Sequence, residues 1–208
     1  MTFTALFGAT LFLAAGRFDL PWFWAYVLTL PAIGLTLGRF IDRDLVRERM
    51  RPGPGGVDRA LRWFASPFLL VHLVLAGLDA RYSWSSVPPA ARAAAYVGFA
   101  AAFLLATWAM VVNRFFSPVV RVQTERGHEV VSSGPYRWIR HPGYAATVLG
   151  FPWGGLVLGS WWALLPMLPV VVLILRRTLI EDRYLHANLP GYRAYAARVR
   201  WRILPGLW

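Results

Sequence analysis

Apolar residues along the chain gather into uncharged runs bounded by Arg, Asp or Pro/Gly clusters. A helix needs about 20 mostly apolar residues to cross about 30 Å of hydrocarbon. Six runs approach that length: Thr2 to Gly16, Leu20 to Gly38, Trp63 to Leu78, Ala93 to Val112, Tyr144 to Gly159 and Trp161 to Leu175. The pattern predicts an all-α, polytopic membrane helix bundle. The first and fifth runs are short, which implies tilt, a locally thin bilayer or a re-entrant hairpin, so five crossings stand beside six as an alternative. Met1-Thr2-Phe3 leads almost directly into the first run without a basic leader or cleavage site, and that run is expected to be retained rather than removed as a signal peptide.

Composition supports the membrane reading. The 208 residues are 57% hydrophobic and only 15% charged, against about 25% charged in ordinary soluble domains. With no cysteine, a disulfide scaffold, a thiolate nucleophile and Cys-ligated zinc or iron–sulfur sites are excluded. A net charge of +12 would suggest nucleic acid, but the positive residues are all arginine and sit between apolar runs, so no nucleic-acid partner is expected. Seven arginines fall in 39–62, five in 114–140 and seven in 176–202, leaving Arg17, Arg81 and Arg92 for the other side. By the positive-inside rule both termini are expected in the cytoplasm and the protein in the cell inner membrane; an even number of crossings agrees.

Two regions follow: 1–112, transmembrane helices with a cytoplasmic Arg-rich loop at 39–62, and 113–208, where the chemistry concentrates around a further helical hairpin. In the Arg-rich loop, Asp42 to Arg49 carries mixed charges at helical spacing before the breaker Arg51-Pro52-Gly53-Pro54-Gly55-Gly56. It reads as a short interfacial helix, with a solvated connector as the plainer alternative.

From Asn113 onward, polar and ionisable residues continue for about thirty residues without a span. Gly134-Pro135 and His141-Pro142-Gly143 are turn signals that hold the intervening chain in a compact loop. Arg137, Arg140 and His141 can hold a carboxylate, and Tyr136, Trp138 and Tyr144 offer flat surfaces for a purine or a sulfonium. Arg177 and Glu181 are four apart on one helix face, where the ordinary outcome is an intrahelical ion pair of about 0.3–0.5 kcal/mol. His72, His128, His141 and His186 show no ligand spacing, so no metal is expected. His72 lies inside an apolar run, where a neutral histidine bonded to a neighbouring helix is a sufficient explanation. No Gly-x-Gly-x-x-Gly follows a strand, no phosphate-binding loop occurs, and the absence of lysine removes Schiff-base chemistry.

At Gly127-His128-Glu129-Val130-Val131, Gly134-Pro135-Tyr136, Arg140-His141-Pro142-Gly143-Tyr144 and Arg177-x-x-x-Glu181-Asp182, the chain resembles the isoprenylcysteine carboxyl methyltransferase family and its phospholipid methyltransferase relatives. The resemblance covers about Asn113 to Pro205. It implies a membrane enzyme that transfers a methyl group from S-adenosylmethionine, enclosed between a cytoplasmic loop and the helix ends. It further implies cofactor contacts at Gln123, His128, Glu129, Val130, Val131, Tyr136, His141, Pro142, Gly143, Tyr144 and Glu181. Arg177 would face the substrate, with Arg140 as a second substrate contact. Asp182 stands where many members have a second glutamate, and Glu129 where an uncharged residue is common.

The partners implied are a lipophilic small molecule or lipid as methyl acceptor and the surrounding membrane lipids, with no obligate protein partner. A carboxylate acceptor is ionised at pH 7 and needs no base; an amine must first lose a proton, to Glu181, Asp182 or His128. Phospholipid amine N-methylation is therefore the alternative within methyl transfer. An NADPH-dependent sterol-reductase-like enzyme shares the His-Pro-x-Tyr turn, but its usual Cys- and Lys-containing pattern has no counterpart here.

Overall fold

The computed structural model describes residues 2–58 and 61–208. Among these, eight α-helices form and no strand ladder does: α1 (Thr2–Ala15), α2 (Pro21–Leu37), α3 (Arg43–Met50), α4 (Leu61–Tyr82), α5 (Pro89–Val112), α6 (Pro142–Val157), α7 (Met167–Asn188) and α8 (Tyr192–Arg198). All six apolar runs are helical. Proline opens α2, α5 and α6, a position where its missing N–H costs nothing and its fixed φ is already helical. Four stretches are long and apolar enough to cross a bilayer: Pro21–Phe40, Trp63–Tyr82, Pro89–Val112 and Trp162–Asn188. The two short runs stay short, with 14 residues in α1 and 16 in α6. The bundle is a helical membrane protein.

Small residues let the helices close on one another. α1 lies along α4 and α6 along α5. A Cβ added to Gly77 of α4 would come within 2.5 Å of the Ala14 methyl, and one on Gly98 of α5 within 2.9 Å of the Trp153 ring. Gly154 faces Tyr26 and His72, and Gly155 faces Leu164, so these two α6 glycines are spent on packing within one chain. His72 is buried and its Nδ1 lies 2.8 Å from the Ala163 carbonyl.

The Arg-rich loop is more than a solvated connector. Asp42 caps α3 by accepting the amides of Asp44 (2.7 Å) and Leu45 (3.0 Å). Leu45 and Glu48 turn inward while Arg43, Asp44, Val46 and Arg47 stay exposed. Buried Glu48 receives both arms of Arg121 (2.9 and 2.8 Å), the Ser117 hydroxyl (2.8 Å) and the Gly53 amide (3.2 Å). These bonds hold its carboxyl below the usual range against burial. A bidentate pair with every oxygen satisfied repays its desolvation, and it fixes α3 to the 113–141 segment.

Candidate active site

Three stretches meet at the end of the bundle that carries the arginine-rich segments: the loop 113–141, the first turn of α6 and the last turns of α7. A cavity of about 390 Å³ lies between them, within the range of small-molecule sites. Loop segment 128–131, Tyr136, the α6 start and α7 all contribute to its wall.

At its head Arg177 and Glu181 do not form the expected intrahelical ion pair. The Tyr144 hydroxyl stands between them: it accepts from Arg177 Nε (2.8 Å) and donates to Glu181 Oε2 (2.5 Å). α6 thereby presents one phenol that joins two charges of α7. Arg177 also donates to the Pro118 carbonyl and lies 2.8 Å from Asp58, so three separate segments converge on one guanidinium.

Beside this relay, Asp182 is a saturated hub. It accepts from Arg140 through both oxygens (2.8 and 2.9 Å), from Tyr192 (2.9 Å) and from Arg202 (3.0 Å), with His141 Nε2 at 3.2 Å. Arg140 spends its remaining arm on the carbonyls of Val199 and Arg200 (2.8 and 2.9 Å). The expected substrate role of Arg140 therefore gives way to an anchoring one: it borders the cavity, but its donors tie the C-terminal segment to α7. The backbone repeats that tie, with the Arg140 amide on Trp201 O and the His141 amide on Arg202 O, both at 2.9 Å.

Other expected residues are placed as follows. His128, Glu129, Val130, Val131, Tyr136, His141, Gly143, Tyr144, Arg177 and Glu181 border the cavity. Gln123 is fully buried behind the wall, donating to the Phe115 carbonyl (2.7 Å) and accepting from Arg126. Pro142 is buried in the first turn of α6 and shapes the helix start. Arg137 and Trp138 are exposed, the latter edge-on to Trp108, and take no part. Sequence reasoning missed Asp58, Phe115, Phe116 and Arg49. Phe115 stacks on His128 at 4.5 Å, and the Arg49 guanidinium lies 5.3 Å over the Phe116 ring.

Two histidines respond oppositely to this setting. Burial draws His128 down to about 4, with the charges of Arg121 and Arg126 adding to it against Glu181, so the ring is neutral at pH 7. Its Nδ1 accepts the Gln123 amide (3.1 Å), which leaves the proton on Nε2. His141 is also opposed by burial, but the carboxylates of Asp182 and Glu181 outweigh it and raise its pKa above the ordinary value.

The unfolded chain protonates His128 below about 6.5 and the folded chain only near 4. Its stabilisation is therefore complete above about 6.5 and drains away as pH falls toward about 4. The His141 contribution is complete below its unfolded value and is lost as pH rises through the raised folded one. Thermal midpoints in detergent should peak between these limbs, and His128→Gln should flatten the acid side between about pH 6.5 and about 4. An unchanged acid limb would assign it to carboxylates instead.

Comparison with curated proteins finds no match to the chain. Residues 94–187, which run from α5 through the loop and α6 to nearly the end of α7, match the family described as isoprenylcysteine carboxyl methyltransferase (ICMT). Most of the residues that line the cavity fall within this matched stretch.

Proposed function

We propose that the protein is an S-adenosylmethionine-dependent methyltransferase that esterifies the carboxylate of a lipophilic acceptor entering from the bilayer. The observation that carries the reading is the Arg177–Tyr144–Glu181 relay at the head of the cavity. It sets a guanidinium and a carboxylate at fixed separation, with apolar Val130, Val131, Phe151, Ile174 and Leu185 behind them.

The residues present suit the cofactor. Glu181 Oε1, which Tyr144 leaves free, lies 3.7 Å from His141 Nδ1 on a side chain that is a quarter exposed, so it can accept from an ammonium. The Phe115–His128 stack and Tyr136 provide ring faces, and the neutral His128 can donate from Nε2. When bound, S-adenosylmethionine supplies an electrophilic methyl group on a positively charged sulfur. Arg177 holds the acceptor carboxylate, and the cavity wall aligns the groups. No proton needs to move, since such a carboxylate, with a pKa of about 4, is already ionised at pH 7. This agrees with the engagement of two of the nearby candidate bases: Asp182 is fully engaged, and His128 accepts an amide through its lone pair.

Further elements of the reading are membrane lipids as the acceptor's route, the cell inner membrane as location and both termini in the cytoplasm, supported by the arginine distribution. Incubating the purified protein with methyl-labelled cofactor and a membrane lipid extract tests it. Base-labile label in the organic phase is the expected result. Base-stable methylated headgroups would replace the reading by amine methylation, and absence of S-adenosylhomocysteine binding by calorimetry would end both.

Gly143 supplies a local check. A Cβ there would sit 2.3 Å from the Phe116 ring, which itself borders the cavity. Gly143→Ala should push that ring into the cofactor space and weaken S-adenosylhomocysteine binding by about tenfold or more, the scale of a 1–3 kcal/mol overpacking cost. Unchanged calorimetric affinity would show that the ring yields freely.

A further inference from the structure

Asp58 belongs to the loop after α3, outside the family-matched stretch, and nothing in the relay requires it. Its side chain is only 1% exposed. One oxygen accepts the Val120 amide at 2.7 Å, and the neighbouring Val57 amide donates to Val120 O at 3.2 Å. Together they lay the loop against the cavity wall. Gly56 permits that approach, since a Cβ on it would fall 2.4 Å from Val119. The other oxygen lies 2.8 Å from Arg177 Nη2, yet its geometry makes no hydrogen bond. The contact is charge against charge, held from one side only.

We propose that Asp58 is a specificity-determining residue: a built-in carboxylate that occupies Arg177 at rest and must be exchanged for the carboxylate of the acceptor. The inference rests on the carboxyl-methylation reading above. The physical reason is the unequal commitment of the two oxygens. Oδ1 is anchored by the backbone, whereas Oδ2 neutralises a buried guanidinium without the directional bond that would make the pair hard to part. An incoming carboxylate that forms real N–H···O bonds to Arg177 gains what Asp58 does not supply. A neutral head group cannot offset the separation of the pair, so Asp58 rejects uncharged lipids from the site.

The test uses N-acetyl-S-farnesylcysteine and its carboxamide as probes, titrated into the detergent-purified full chain saturated with S-adenosylhomocysteine. Asp58→Asn keeps an oxygen for the Val120 amide and removes only the charge. It should lower the dissociation constant of the carboxylate probe by about tenfold, as expected when one charge-assisted bond is freed from competition. Carboxamide affinity, held down in the wild type by the cost of parting the pair, should also rise in the neutral variants, and S-adenosylhomocysteine affinity should not move. Asp58→Glu, which restores the charge, should return the carboxylate probe toward wild-type affinity. Asp58→Ser is a second neutral variant should the asparagine protein fail to fold.

A carboxylate affinity that falls or stays level in the neutral variants, including no binding in any of them, overturns the exchange and makes Asp58 a fixed support for Arg177. Loss of S-adenosylhomocysteine binding in both neutral variants overturns it likewise. Failure of the parent reading has a separate signature: wild-type protein that binds no S-adenosylhomocysteine, or that yields only base-stable methylated headgroups.

Discussion

Asp182→Asn should cost about 3–5 kcal/mol, the scale for removing one partner from a buried ion pair. The substitution leaves Arg140 buried without its counter-charge, weakens the His141 contact and frees Arg202 and Tyr192 from the same carboxylate. These groups connect α7 to the loop before α6, to α8 and to the C-terminal segment, so the loss should be felt as loosening of that whole half. A fall of about 10 °C or more in thermal midpoint is expected for a chain of this size, with S-adenosylhomocysteine binding lost alongside. Arg202→Ala is the milder control, because that side chain is a third exposed and should cost about 1 kcal/mol or less. Equal effects from the two substitutions would show that Asp182 is not the hub its contacts describe.

Arg177→Ala should abolish turnover, by about a hundredfold or more, the penalty for removing a donor aimed at the reacting group, while changing S-adenosylhomocysteine affinity little. Glu181→Gln should do the reverse and weaken cofactor binding first. The separation is informative because the Tyr144 hydroxyl is shared by both residues. If the three acted only as a structural brace, either substitution would lower stability and affinity together. Arg177→Lys sharpens the measurement: an ammonium keeps the charge opposite Asp58 but cannot reach Tyr144, Pro118 and a substrate in one plane. It should retain fold and cofactor binding yet recover little activity. Calorimetry and initial rates on the same preparations decide it.

The helices were legible because each apolar run is bounded by its own charges or breakers, and because proline at the start of α2, α5 and α6 marks a boundary that bilayer burial does not blur. Much of the cavity wall was legible too, since 128–131 and 141–144 are short contiguous pieces. What sequence spacing could not supply was partnership. Four-residue spacing suggested a direct Arg177–Glu181 bond, and only the packing of α6 against α7 shows a phenol interposed. Arg140 looked like a ligand-holding cation because nothing in its own neighbourhood says that Asp182 and two carbonyls consume it. Asp58 carried no signal at all: an acid after a Gly/Pro turn reads as solvated, and its burial depends on Gly56 admitting Val119 from a distant segment. The docking of α3 is similar, because Glu48 is one charge among many until Arg121 arrives.

The brevity of α6 carries a last consequence. Sixteen residues rise about 24 Å, short of the about 30 Å of a typical hydrocarbon layer, and Gly143 and Tyr144 sit in its opening turn. On the proposed reading, headgroups drawn in around that end let a greasy acceptor present its polar tip to Tyr144 with its tail still dissolved among acyl chains. Reconstitution in lipids of graded chain length should therefore show faster turnover in thinner bilayers, and rates indifferent to thickness would mean the acceptor leaves the lipid before it reacts.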